Sequence, residues 1–127
     1  FRKAPPAWEK AQQWCLRKEL YVKRAGYAMI AWLAVHDKKA SDADYYKLLN
    51  LVRQGAEDER PLVKKAVNWA LRQIGKRNMR LNARAIELAV SLAENGGKSG
   101  RWVANDALRE LTGVKVQQRL ILAGSGK

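Results

Sequence analysis

The sequence predicts an all-α protein, built as a short solenoid of about three antiparallel helix pairs. Three observations carry that expectation. Apolar residues recur at three- and four-residue spacing along almost all of the 127 residues, the signature of one-sided helices. Strand-like alternation is absent over any useful length. A five-residue pattern also returns with a period of roughly 40 residues, as it does when helix pairs stack in an array.

Six helices are expected, at about residues 5–18, 20–35, 42–55, 60–76, 81–94 and 100–112. Pro5, Pro6 and Pro61 all sit where a helix can begin and none interrupts an apolar pattern. Ser41 with Asp44 three residues on can cap the third helix. Glu57, Asp58 and Glu59 place negative charge at the dipole start of the fourth, and Asn95-Gly96-Gly97 can stop the fifth. Val114, Val116, Leu120, Ile121 and Leu122 can add one last turn, with a disordered Gly-Ser-Gly-Lys end.

The even-numbered helices look alike. Tyr21-Val22-Lys23-Arg24-Ala25 is echoed one period later by Leu62-Val63-Lys64-Lys65-Ala66. A further period on comes Trp102-Val103-Ala104-Asn105-Asp106, without the basic pair. Two helices per unit at this period is the HEAT or armadillo length. Residues 1–112 are therefore expected to form one helical repeat domain with a concave side, and 113–127 a basic tail. Gly26 to Val35 carries no charge, which predicts a second helix buried all round and exposing only Lys23 and Arg24 at its start.

Lysine and arginine number 25 against 12 acids, a net charge of +13. That excess repels itself in a compact state, so a polyanionic partner is expected. The lone Cys15 excludes an internal disulfide and has no neighbouring ligands for a zinc set. No apolar run approaches the roughly 18 residues that a membrane span needs. The chain begins at Phe1 with no leader pattern, and is expected to be a fragment of something longer.

The charge is concentrated. From Arg60 to Ile86 there are eight basic residues and no acidic one. At about 100° per residue, Leu62, Val63, Ala66, Val67, Ala70 and Ile74 share the core face of the fourth helix. Lys65, Trp69, Arg72 and Lys76 fall together on another arc, beside Lys64 and Asn68. Cations at one-turn intervals can follow phosphates, and an indole among them can contact a sugar or a base. The candidate nucleic-acid contacts are Lys23, Arg24, Lys64, Lys65, Trp69, Arg72, Lys76 and Arg77. Trp8, Trp14, Trp32 and Trp102 are expected to pack in the core. His36-Asp37 reads as the end of a helix rather than a catalytic pair, and Arg109-Glu110 with Asp106 as local pairing. No metal or cofactor motif is visible.

These stretches resemble the C-terminal half of the AlkD-like DNA alkylation repair family, DNA glycosylases built of HEAT-like repeats. The resemblance rests on Tyr21 to Tyr27, Ala34 to Lys39, Val63 to Asn78 and Arg101 to Leu111, the third being the most specific. It implies hydrolysis of the N-glycosidic bond of cationic alkylated purines, such as 3-methyladenine or 7-methylguanine, in duplex DNA. It also implies that the backbone lies along the concave face without full extrusion of the lesion, and that no cofactor takes part. Trp69 matches the tryptophan beside the lesion nucleotide, and Arg24 a backbone-contacting arginine. The family's catalytic aspartate and its companion tryptophan belong to helices N-terminal to everything present here, so this chain is expected to bind DNA with an incomplete site. The alternative expectation is a non-enzymatic helical module for nucleic acid or an acidic protein. A homodimer through the outer face of the first helix and a bacterial cytosolic location complete the expectations.

Overall fold

The computed structural model describes residues 4–125, with side chains described over 7–122. Among the described residues there are seven helices and no strand. They are α1 (Ala4–Cys15), α2 (Leu20–His36), α3 (Asp42–Gly55), α4 (Pro61–Gly75), α5 (Met79–Asn95), α6 (Gly97–Leu111) and α7 (Val114–Ser125). The chain is all-α, as its apolar spacing predicts.

Local chemistry sets the boundaries. Ser41 Oγ accepts the Asp44 N–H at 3.3 Å while the Asp44 carboxylate accepts the Ser41 N–H at 3.2 Å, a reciprocal cap that starts α3. Asn78 Oδ1 accepts the Leu81 N–H at 2.8 Å, so α5 starts at Met79, two residues ahead of the sequence expectation. The Asn95-Gly96-Gly97 stop is subtler than expected. Gly96 ends α5 at φ −86°, and the left-handed residue is Gly97, at φ +71°. Only glycine takes that angle without a Cβ penalty, and α6 begins there.

The helices form two layers. α2, α4 and α6 lie side by side, and α1, α3, α5 and α7 line up behind them. The core fills the space between. Tyr27, Ile30 and Leu33 of α2 meet Leu48 and Val52 of α3, Val67, Leu71 and Ile74 of α4, Leu81 of α5 and Leu111 of α6, all buried. Each such aliphatic side chain contributes about 1.5–3 kcal/mol by leaving water. At Gly26 a Cβ would stand 2.6 Å from the Cys15 backbone nitrogen, so α1 and α2 pack backbone to backbone there. Burial pushes the adjacent Cys15 thiol up to about 12.

Polar ties repeat with the helices. Tyr27 donates its hydroxyl to the Leu51 carbonyl. Asn68, in the matching place one repeat on, donates to the Val103 carbonyl at 3.1 Å. The C-terminal segment departs from expectation. In place of a single turn, α7 runs to Ser125. Val116 and Leu120, one turn apart, are buried, and Gln117 donates to Asn82 Oδ1 at 3.1 Å and to the Leu111 carbonyl at 2.7 Å. The i, i+4 apolar pair gives the segment a face to bury. Of the end expected to be disordered, Gly124 and Ser125 are helical; Gly126 and Lys127 lie outside the described residues.

Candidate nucleic-acid interface

The outer face of α2, α4 and α6 is the surface turned away from the second layer. The two basic pairs occupy it in the same way. In each, the first lysine turns sideways toward the next repeat. Lys23 donates to Asp58 Oδ2 at 3.0 Å, and Lys64 lies 5.0 Å over the ring of Trp102. In each, the second residue stands in solvent: Arg24 and Lys65 are exposed, and neither has a hydrogen bond or ion pair among the described residues.

Asp58, on the α3–α4 connection, explains part of that pattern. It accepts from Arg60 Nη2 at 2.7 Å and the Arg60 N–H at 3.0 Å as well as from Lys23. Hydrogen bonds from Arg60 hold its carboxyl well below the usual range, outweighing burial. Ser99, one repeat on, stands in the corresponding place and donates to the Asp58 carbonyl at 2.9 Å. With no carboxylate there, Lys64 has no equivalent ion pair and covers an indole instead.

Arg72 and Lys76 are not bare cations. Arg72 donates to Asn68 Oδ1 at 2.7 Å and to Glu110 Oε1 at 2.9 Å, and Lys76 donates to Glu110 Oε2 at 2.7 Å. Burial pushes the Glu110 carboxyl up, but the hydrogen bonds from Lys76 and Arg72 outweigh it and leave the group below its ordinary value. The expected local pairing on α6 is thus only half present. Arg109 reaches Asp106 at 3.4 Å, whereas Glu110 crosses to α4.

Arg77 lies inward. One terminal nitrogen donates to the carbonyls of Ala34 and Asp37, both at 2.9 Å. The guanidinium stands 4.0 Å from the centre of the Tyr45 ring, and its Nε is buried without a partner. His36 stacks on Trp32 at 4.4 Å. Asp37 accepts the N–H groups of Lys39 and Ala40 and, at 2.6 Å, the Trp8 indole. That indole bond is the main reason the Asp37 carboxyl lies below its usual range. The pair closes the end of α2, as its position suggests.

Two tryptophans are not where their apolar character placed them. Trp69 is 41% exposed as expected, but Trp32 is 54% and Trp102 40% exposed. Neither is a core residue. Trp32 shares an arc with Tyr21 and Ala28, opposite the stripe of Tyr27, Ile30 and Ala34 that meets the second layer. The uncharged run from Gly26 to Val35 is therefore not buried all round; Trp32 and Val35 open onto the surface. The outer face thus carries one exposed indole on each even helix. A run without charge marks no direction by itself, so only helical phase against known neighbours separates the two arcs. Trp8 and Trp14 are half-buried, and Trp8 packs edge-on against Tyr45 at 4.9 Å.

Among the described residues no group of three or more His, Cys, Asp or Glu is placed to hold a metal ion. No described helix is long and apolar enough to cross a membrane. What the outer face offers is unpaired positive charge, indole surface, and two acids, Asp106 and Glu110, facing the α4 cations. A protein-family model described as DNA alkylation repair enzyme matches residues 2–111. Comparison with curated proteins and with solved structures finds no match.

Proposed function

The chain belongs to the DNA alkylation repair enzyme family, and from that premise we propose that the outer face of α2, α4 and α6 holds the sugar-phosphate backbone of alkylated duplex DNA. The observation that carries this reading is the pair of unpartnered cations, Arg24 and Lys65, at equivalent repeat positions around Trp69. Phosphate contacts of this kind fix the register of a protein on the duplex. Trp69 lies against the lesion nucleotide, where an indole face attracts the positive charge of a 3-methyladenine or 7-methylguanine. Lys64, Arg72 and Lys76 add positive potential at the margin. Lys23 and Arg77 act through the fold, since their donors already bridge elements of the chain.

The reaction is hydrolysis of the N-glycosidic bond, in which positive charge grows on the sugar and a fixed negative group stabilises it. Asp106 and Glu110 are poor candidates for that group. Glu110 has both oxygens on α4 cations, and Asp106 is shared between Arg109 and Arg72. On this reading the chain's part is to bind and position DNA, and neither acid of the outer face is the stabilising group, which is assigned elsewhere.

Duplex binding should weaken steeply with salt, and reversing Arg24 and Lys65 together should flatten the log–log slope by about two, near 0.9 per lost phosphate contact. Trp69→Ala should reduce affinity without changing that slope. A module for acidic proteins would depend on the cations and not on Trp69. Salt-insensitive binding, or none, would overturn the reading, and efficient release of alkylated bases by this chain alone would overturn the assignment of the carboxylate elsewhere. Association through α1, just after which Leu16 is 64% exposed, is a separate proposal that a monomeric mass in light scattering at high concentration would rule out.

A further inference from the structure

Where α2 and α4 end, a groove of about 820 Å³ opens between them, the start of α5, and α7. Its lining includes five cations, Lys38, Lys76, Arg77, Arg80 and Arg119, and no carboxylate. Two of the five have carboxylate partners behind them, Glu110 for Lys76 at 2.7 Å and Asp42 for Arg80 at 2.6 Å. The other three do not. Arg77 donates only to backbone carbonyls, so its charge has no carboxylate within ion-pair distance among the described residues. Lys38 and Arg119 are exposed, with no hydrogen bond or ion pair there either.

Lys38 and Arg119 face one opening without ion-pair partners among the described residues, and Arg77, whose charge already helps lower the carboxyls of Asp37 and Asp42, adds to its positive potential only in part, so an anion is favoured there. Helix ends contribute in both senses. The C-termini of α2 and α4 present carbonyls, but those of Leu33, Ala34 and Asp37 are already taken by Tyr45 and Arg77. The N-terminus of α5 begins in the groove wall at Asn78 and Met79, and its free N–H groups favour negative charge.

We propose that this groove binds a phosphate group of the nucleic-acid strand as it leaves the outer face, with Lys38 and Arg119 as its main contacts. The inference rests on the reading of that face as a DNA-binding surface. Lys76 joins the two regions, because it shares the arc of Lys65 and Trp69 and also lines the groove. Lys65 and Lys76 are separated by roughly 16 Å along the helix axis, which is about five base pairs of duplex. α7 thus gains a function: it carries Arg119 to the far end of the track while Leu120, next to it, is buried.

The test compares two double variants, Lys38→Glu with Arg119→Glu and Arg24→Glu with Lys65→Glu, on one duplex of about 20 base pairs across a salt series. Thermal unfolding checks that both remain folded. The groove variant should bind at least about tenfold more weakly, with a salt slope lower by one to two. If only the outer-face variant loses affinity, the groove inference fails and the face reading stands. If only the groove variant loses affinity, the face reading fails and the groove still binds a strand. If neither changes, both fail. Titration with inorganic phosphate separates the remaining source. Millimolar saturation abolished by the groove variant, with duplex binding untouched, would make this a site for free phosphate and overturn the assignment to a strand.

Discussion

The junction of α2 with α4 and the junction of α4 with α6 have the same architecture and opposite charge logic. At the first, one cation of the equivalent pair is neutralised sideways by Asp58 and the other, Arg24, is left bare. At the second, α6 has lost its basic pair to Ala104 and Asn105, and it presents Asp106 and Glu110 to the cations of α4. Much of the charge in the most basic stretch of the chain is therefore neutralised within the fold. A count of cations belongs to the sequence, whereas a count of uncompensated cations belongs to the packing. On the proposed function, the difference favours Arg24, Lys65 and Trp69 as the DNA contacts over an even spread along α4.

The largest effect in this contrast should come from Arg77, which holds the α4–α5 connection to the end of α2. Arg77→Ala removes two charge-assisted hydrogen bonds and the contact with Tyr45, and should cost about 3 kcal/mol in urea unfolding. A loss below about 1 kcal/mol would return Arg77 to the set of free cations. Next comes Arg24→Glu with Lys65→Glu, expected to weaken duplex binding on the order of 10²-fold at low salt, with stability nearly unchanged, since neither side chain has an internal partner. An unfolding midpoint that moves with the affinity would show these residues to be structural.

Asp58→Asn should cost about 2 kcal/mol at neutral pH, because it takes the charge out of a half-buried cluster with Lys23 and Arg60. The Asp58 carboxyl is held below its unfolded value, so its contribution is present above about pH 4 and fades as pH falls through the lower folded value. The gap between wild type and variant should narrow on acidification; a gap that is constant or widens would contradict the assignment. At the other junction, Glu110→Gln should release Arg72 and Lys76, lowering stability by about 1 kcal/mol while strengthening duplex binding several-fold. Unchanged binding would mean that these cations do not face the DNA. The smallest effect on folding is expected for Trp32→Ala, within about 1 kcal/mol where a fully buried indole would cost roughly 3–5 kcal/mol. Binding to DNA should still fall, as fluorescence titration can show.

Much of the molecule is legible in the chain itself. The Ser41/Asp44 cap, the proline starts and the echo of Lys23-Arg24 in Lys64-Lys65 place helices, because each rests on contacts within a turn or on a period that survives without knowledge of neighbours. The site is only partly legible. Trp69 is visible because it interrupts a row of cations. Trp32 and Trp102 are hidden in runs whose apolar character looks the same on either arc. Arg119 is hidden for another reason: Val116 and Leu120 form a face only once α5 and α6 provide a surface to receive it.

The sequence by itself determined that this chain is a two-layer repeat of helices with a large positive excess, since spacing, caps and composition are properties of residues near one another. Only the tertiary structure decided which of those charges remain available. Lys23 reaches Asp58 across 35 positions, Lys76 reaches Glu110 across 34 and Arg77 reaches Ala34 across 43. A cation is neutralised by whatever stands within a few ångströms, and that neighbour is chosen by helix packing rather than by sequence distance.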